Sequence, residues 1–308
     1  MSIGTNVVIG IAPQPSRASL PTTGWKIFPR TSDSLNHAVE LTDSETITDS
    51  RIKSAGMPTS ATASGDIEVE LIKGIYDDYI AAAAGNDWDA DVLTFGGDVE
   101  TMFAIEKKYK DVGGAGHFHV WGGMRVNTFS LNVPERGLVG MTFGFMGSSY
   151  ENGTTAYATS PAATATEPKA TNLSIKDVKI DGVTLRDRSC VTAFTFEANN
   201  NMEVEPCLFD GLYGGKLLSK VLDMSGTLNL AYNPASQELL DKQLTGETVA
   251  ITATIGFETG GEYTLEIPKA QISGDLPSGG KDRLDAALTY TVVSEDATLD
   301  APTLTRVA

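Results

Sequence analysis

His117 and His119 flank Phe118, and on a β-strand their imidazoles would leave the same face, a geometry that can serve a metal ion. No third ligand stands at motif spacing, and Gly113, Gly114 and Gly116 just before them mark a hairpin tip, so both histidines read as polar strand or loop residues. Asp87, Asp89 and Asp91 alternate as in a calcium loop but lack the glycine and the bidentate glutamate at the required offsets. A solvated acidic loop is the simpler reading. Asp77 and Asp78 in one predicted helix, with Glu238 and Asp241 in another, are placed on polar faces; paired carboxylates can do acid–base work, but no cleft partner is visible. Lys107, Lys108 and Lys110 surround Tyr109 as a small basic patch, read as an inter-subunit partner for carboxylates. No Gly-x-Ser-x-Gly elbow, Walker loop or dinucleotide fingerprint occurs. The expectation is no enzyme, and no catalytic, cofactor-binding or metal-binding residue.

The chain has 308 residues and a net charge of −17, with only 23 Lys and Arg against 40 Asp and Glu. Gripping DNA means neutralising phosphates with cations, so this balance argues against a nucleic-acid-binding surface. An acidic field repels polyanions and keeps the free chain in solution. No apolar run approaches the ~18 residues of a membrane span, and the first residues lack the basic and apolar regions of a secretory signal. Cys190 and Cys207 are too few for a disulfide framework, and an intracellular, reduced place of synthesis is expected.

The elements that must position these residues read as one pattern written twice. Residues 64–85 and 225–246 both open with Ser-Gly, run through an alternating strand, enter a helical pattern and stop at glycine, with one constant offset of 161 residues. Residues 103–147 lie over 249–293 in the same ungapped way, with Gly114 on Gly260. Strands are expected at 38–41, 67–71, 101–109, 117–121, 124–133 and 138–145 in the first half. In the second they fall at 173–180, 191–196, 227–232, 249–257, 263–272 and 288–293. One helix carries Leu71, Ile75, Tyr79 and Ile80 and ends at Gly85; the other begins at Pro234, carries Leu239, Leu240 and Leu244 and ends at Gly246. Residues 1–24, with Pro13, Pro15 and Pro21, read as an extended arm, and 151–171 as a Ser/Thr/Ala-rich linker whose bias begins at Ser148. That leaves 25–150 and 172–308 as two mainly antiparallel β domains, each with one short helix. Residues 41–63 and 198–220 are long polar excursions at corresponding places, expected to protrude as loops or hairpins.

The repeated pattern of Ser-Gly, alternating strand, short helix, long hairpin and a terminal strand such as residues 140–147 resembles the tail tube protein of long-tailed bacteriophages. The proline-bearing arm and the linker are similar to those of the larger, two-part members. The resemblance implies two tandem tail-tube-like β-sandwich or barrel domains whose rings stack into a hollow tube, and for a chain with two units a trimeric, pseudo-hexameric ring. It also implies a virion tail protein assembled in the host cytoplasm, of siphovirus type with a non-contractile tail. Self-association, a tail terminator, a tape measure and distal tail proteins would be its partners. Genomic double-stranded DNA would pass through an acidic lumen without specific binding, and no membrane or cofactor would be involved. The alternative is a two-domain β-rich binding module, an adhesin or tail-fibre component, which would bind a ligand and not polymerise.

Overall fold

The computed structural model describes residues 6–47, 49, 52–110, 116–164, 168–209, 211–258, 260–277, 279, 283–296 and 300–307. The first half forms β1 (Val7–Pro13), β2 (Lys26–Ile27), β3 (Ser32–Asp33), β4 (Asn36–Thr42), β5 (Met57–Glu70), α1 (Asp77–Ala84), β6 (Val92–Thr94), β7 (Phe103–Tyr109), β8 (His117–Val133), β9 (Gly140–Gly147) and β10 (Ser149–Gly153). The second half adds β11 (Ile175–Ile180), β12 (Val183–Thr184), β13 (Val191–Asn199), β14 (Glu203–Val204), β15 (Leu217–Leu218) and β16 (Asp223–Ala231). It ends with α2 (Pro234–Thr245), β17 (Thr248–Gly256), β18 (Glu262–Gly274), β19 (Asp285–Val292) and β20 (Thr303–Val307). The protein is therefore mainly β, built from large antiparallel sheets with two short helices.

Alternation of apolar and polar residues dictates the strands. Ile67 and Val69 of β5 point inward while Asp66 and Glu68 stay exposed, and β16 repeats this with Leu228 and Leu230 inward. Both helices stop where expected, because Gly85 and Gly246 take the left-handed conformation, at φ 69° in each case, that carries a Cβ only with strain. Helix α2 is also fixed at its start by Pro234 and by a capping box in which Asn233 accepts from the Ala235 and Ser236 amides. Leu71 and Ile75 lie ahead of α1, and Leu244 is 85% exposed rather than on the packed face of α2.

Pairing registers repeat at the offsets found in the sequence. Asn36 opposite Ser64 recurs as Glu197 opposite Ser225, and Ile67 beside Asp33 recurs as Leu228 beside Phe194. Phe103 opposite Met124 recurs as Val249 opposite Ala270, and Tyr109 opposite His117 as Ile255 opposite Tyr263. The glycine overlay at Gly114, and the tip expected at Gly113, lie outside the described residues.

Two expectations need correction. Residues 7–13 are not an arm: β1 pairs with β7 over its whole length, and Ile9 and Ile11 are buried in the core, since their alternation with small residues supplies a strand face that the prolines at 13, 15 and 21 only terminate. The stretch after Ser148 is not loose either. Strand β10 pairs with β8, Ala162 bridges to Lys26, and the Glu106 carboxylate accepts from the amides of Tyr157 (2.6 Å) and Ala158 (2.9 Å). Buried Glu106 thereby exchanges water for two charge-assisted hydrogen bonds and fastens residues 157–158 onto the first half.

One hydrophobic cluster runs through both halves, from Ile9 to Leu304. Phe196 of β13 is fully buried, edge-on to Phe95 at 5.4 Å and tilted against Phe129 at 6.4 Å. Strand β13 also pairs directly with the C-terminal part of β8, which makes one continuous sheet in the order β4, β5, β9, β8, β13, β16, β19, β18.

Candidate functional site

The side of this sheet that faces away from the core is built from small polar and acidic residues, because every second position of its strands is of that kind. Asp66, Glu68 and Glu70 leave β5, Thr128 and Ser130 leave β8, Glu197 and Asn199 leave β13, Asp223 and Thr227 leave β16, and Asp285 and Thr289 leave β19. Hydroxyl pairs tie neighbouring strands, Thr195 to Thr227 at 2.9 Å and Ser273 to Thr289 at 2.7 Å. Cations meet this face from flanking loops: Lys169 pairs with Glu70, and Arg283 with Asp285 at 2.7 Å. Arg125, in register with Met146 at the end of the face, is withdrawn: it is 7% exposed and donates to the Leu217 carbonyl (2.8 Å) and the Ser219 hydroxyl (2.9 Å). Desolvation lowers its pKa, and Glu100 at 3.3 Å opposes that shift. The wall thus offers carboxylates, hydroxyls and amides, and its strand positions between Asp66 and Asp285 carry no exposed cation among the described residues.

At one end of the sheet stand the two excursions. The connection between β4 and β5 leaves from the end of their paired hairpin, and the connection between β13 and β16 carries the small pair β14 and β15. The second of these reaches back to strand β5: the Ala61 amide donates to the Leu212 carbonyl at 2.7 Å. Both are less polar than expected, because Ile47 of the first and Leu208 and Phe209 of the second are at least 96% exposed. Apolar side chains turned to solvent at the ends of two adjacent protrusions are features that monomeric proteins usually bury.

The residues singled out for chemistry are dispersed. The rings of His117 and His119 do share a face, with centroids 4.9 Å apart. The Nδ1 of His119 shares a 2.5 Å hydrogen bond with the Tyr150 hydroxyl, and His37, on β4, stacks on Tyr150 at 3.8 Å. Burial, together with the charges of His117, His37 and Lys107, lowers the His119 pKa from 6.5. Among the described residues no group of three or more His, Cys, Asp or Glu could hold a metal ion. His37 carried no sequence signal, since its neighbours come from strands far along the chain.

Asp77 is not on a solvated helix face. It is buried, accepts from the Tyr263 hydroxyl at 2.6 Å and pairs with Arg306 at 2.7 Å. Asp91 also pairs with Arg306, at 3.2 Å, whose guanidinium lies 4.4 Å from the Trp88 ring centroid; this loop is fastened to the C-terminal strand rather than freely solvated. Asp78, Asp87, Asp89, Glu238 and Asp241 are not drawn into that cluster. Lys107 does find a carboxylate partner, but it is Asp33 of the same chain, while Lys108 lies over the Phe118 ring.

What the geometry holds in common is extended sheet and protruding apolar tips. A family model for phage tail tube proteins matches residues 4–292, nearly the whole chain. A search of curated proteins returned no match. The chain belongs to the phage tail tube protein family, and it is a structural subunit of the virion tail.

Proposed function

We propose that three copies close into a pseudo-hexameric ring, that the rings stack into a tube, and that the polar sheet face lines its channel and conducts double-stranded DNA during ejection. The observation that carries this reading is the continuous face running from Asp66 to Asp285, acidic and hydroxyl-rich, with its one in-register arginine folded away from it. A duplex sliding past such a wall meets no phosphate partner, and three chains contribute roughly 50 net negative charges to the repulsion. The three-copy count rests on two units per chain, which the repeated registers at offsets of 161 and 146 support. The exposed tips at Ile47, Leu208 and Phe209 fit contacts between stacked rings, where apolar surface is removed from water. On this reading the tube is assembled in the host cytoplasm with a terminator, tape measure and distal tail proteins, which membership of the family supports.

Image reconstruction of purified tubes tests it. Three chains per ring, negative potential along the bore and no retained DNA at modest salt are expected. Six chains per ring, a bore lined by Lys and Arg, or DNA binding that weakens steeply as salt rises would overturn it. Shortening either tip, residues 43–56 or 207–212, should leave folded chains that do not stack.

A further inference from the structure

All three histidines of the chain meet at one place. His117 and His119 leave the face of β8 that continues through Trp121 into the core, and Tyr109 and Lys107 stand opposite them on β7. From β10, the Tyr150 hydroxyl meets Nδ1 of His119 at 2.5 Å. From β4, the His37 ring lies on the Tyr150 ring, with centroids 3.8 Å apart and planes 14° from parallel. One more link reaches β4, the Trp121 indole donating to the Asn36 carbonyl at 3.1 Å. Among the described residues β4 pairs its backbone with β5 alone, so the side chains of this cluster hold it against β8 and β10.

The charges that face the rings are of one sign. The carboxylate that joins the group is Asp33 of β3, and both of its oxygens are taken, Oδ1 by Lys107 and Oδ2 by Arg30 at 2.8 Å. Two cations against one anion leave a positive charge at the site before any imidazole gains a proton, and these three side chains are at most 15% exposed, where water screens little. Other carboxylates on the surrounding strands are engaged elsewhere. Glu106 of β7 accepts from the amides of Tyr157 and Ala158, Glu151 of β10 from the Tyr157 hydroxyl, and Glu40 of β4 from the Ser60 hydroxyl. Burial first, then the charges of His117, His37 and Lys107, disfavour a proton on His119 and lower its pKa from 6.5. An imidazole that is neutral while packed and accepts a proton once in water couples its charge to leaving the site.

We propose that this cluster is a proton-operated clasp: when His119 takes up a proton, β4 comes away from β8 and β10 and frays from β5. The equivalent joint of the second half has no such device. Buried Ala198, Leu265 and Ala253 stand there in place of His37, His119 and Lys107, and β13 is paired along both sides. Proton sensitivity is therefore confined to the half whose strand has a single backbone neighbour. The free chain carries the clasp whether or not rings form.

Hydrogen exchange on the free, unsubstituted chain tests it. Each unit by which the packed imidazole's pKa lies below that of the released one is worth about tenfold in opening. With intrinsic exchange corrected for pH, protection of the β4 amides should fall about tenfold between pH 7.5 and 5.0, while that of residues 194–199 of β13 falls less than about twofold. Protection of β4 that stays within about twofold, or that is lost only together with β13, overturns the clasp. His119→Gln should abolish the fall, and a fall that persists in that variant overturns the assignment to this residue. A second readout needs no variant: the Trp121 indole N–H resonance should shift with the same midpoint, below 6.5, as the His119 ring protons. An indole signal that stays fixed while His119 titrates, or a His119 midpoint at or above 6.5, overturns the proposal.

Discussion

Strands β4 and β13 occupy the same place in the two halves, with the same register to the following strand, and have opposite fates. Strand β13 is held between β8 and β16, and its Phe194, Phe196 and Ala198 are buried. Strand β4 has a neighbour on one side, and nearly every residue from Asn36 to Thr42 is exposed. The same local pattern becomes core or edge according to whether a second strand arrives. The difference teaches that β13 displays the two-sided pairing that β4 lacks among the described residues.

Breaking the internal joint should have the largest effect on the free chain. Phe196→Ala removes a fully buried ring from between Phe95 and Phe129 and is expected to cost about 3–5 kcal/mol by denaturant titration. A loss under 1 kcal/mol would mean that the halves do not depend on this joint. Arg306→Ala comes next, because it strips the cation from buried Asp77 and from Asp91 and leaves the backbone pairing with β6 to hold β20 to the first half. About 2–3 kcal/mol is expected, and Asp77→Asn in addition should recover part of it in a double-mutant cycle.

The base of β4 also differs from its counterpart in what it titrates. His37, His117 and His119 gather there with Tyr109 and Lys107 from β7, Tyr150 from β10 and nearby Asp33, whereas the equivalents of His37, His119 and Lys107 are apolar Ala198, Leu265 and Ala253. The folded His119 imidazole resists a proton that the unfolded chain accepts near 6.5. The unfolded state therefore binds more protons below that value, so stability is full above 6.5 and falls as pH drops through it. Thermal melts between pH 7.5 and 5 should show this slope, and His119→Gln should flatten it; an unchanged slope would assign acid sensitivity elsewhere. The smallest effect on the free chain is expected at the open edge itself. Val39→Thr should change monomer stability by no more than about 0.5 kcal/mol while slowing tube growth, measured by light scattering.

Much of this was legible without coordinates. Alternation places β5, β8, β9, β16, β17 and β18, and glycine after an apolar helical run ends both helices, because these are local rules of backbone and burial. The scarcity of cations on the polar strand positions is likewise a property of the chain, which no folding step can supply. Proline at 13, 15 and 21 hid β1, and the small polar composition after 148 hid β10, since both strands exist by virtue of partners, β7 and β8, that local composition does not reveal. The sequence could not tell that Asp77 is buried against Tyr263 and Arg306, 186 and 229 residues away, or that His37 lies beside Tyr150. Only the tertiary structure decides which of two equivalent strands is an edge, because pairing is a matter of what arrives from elsewhere in the chain, or from another copy of it.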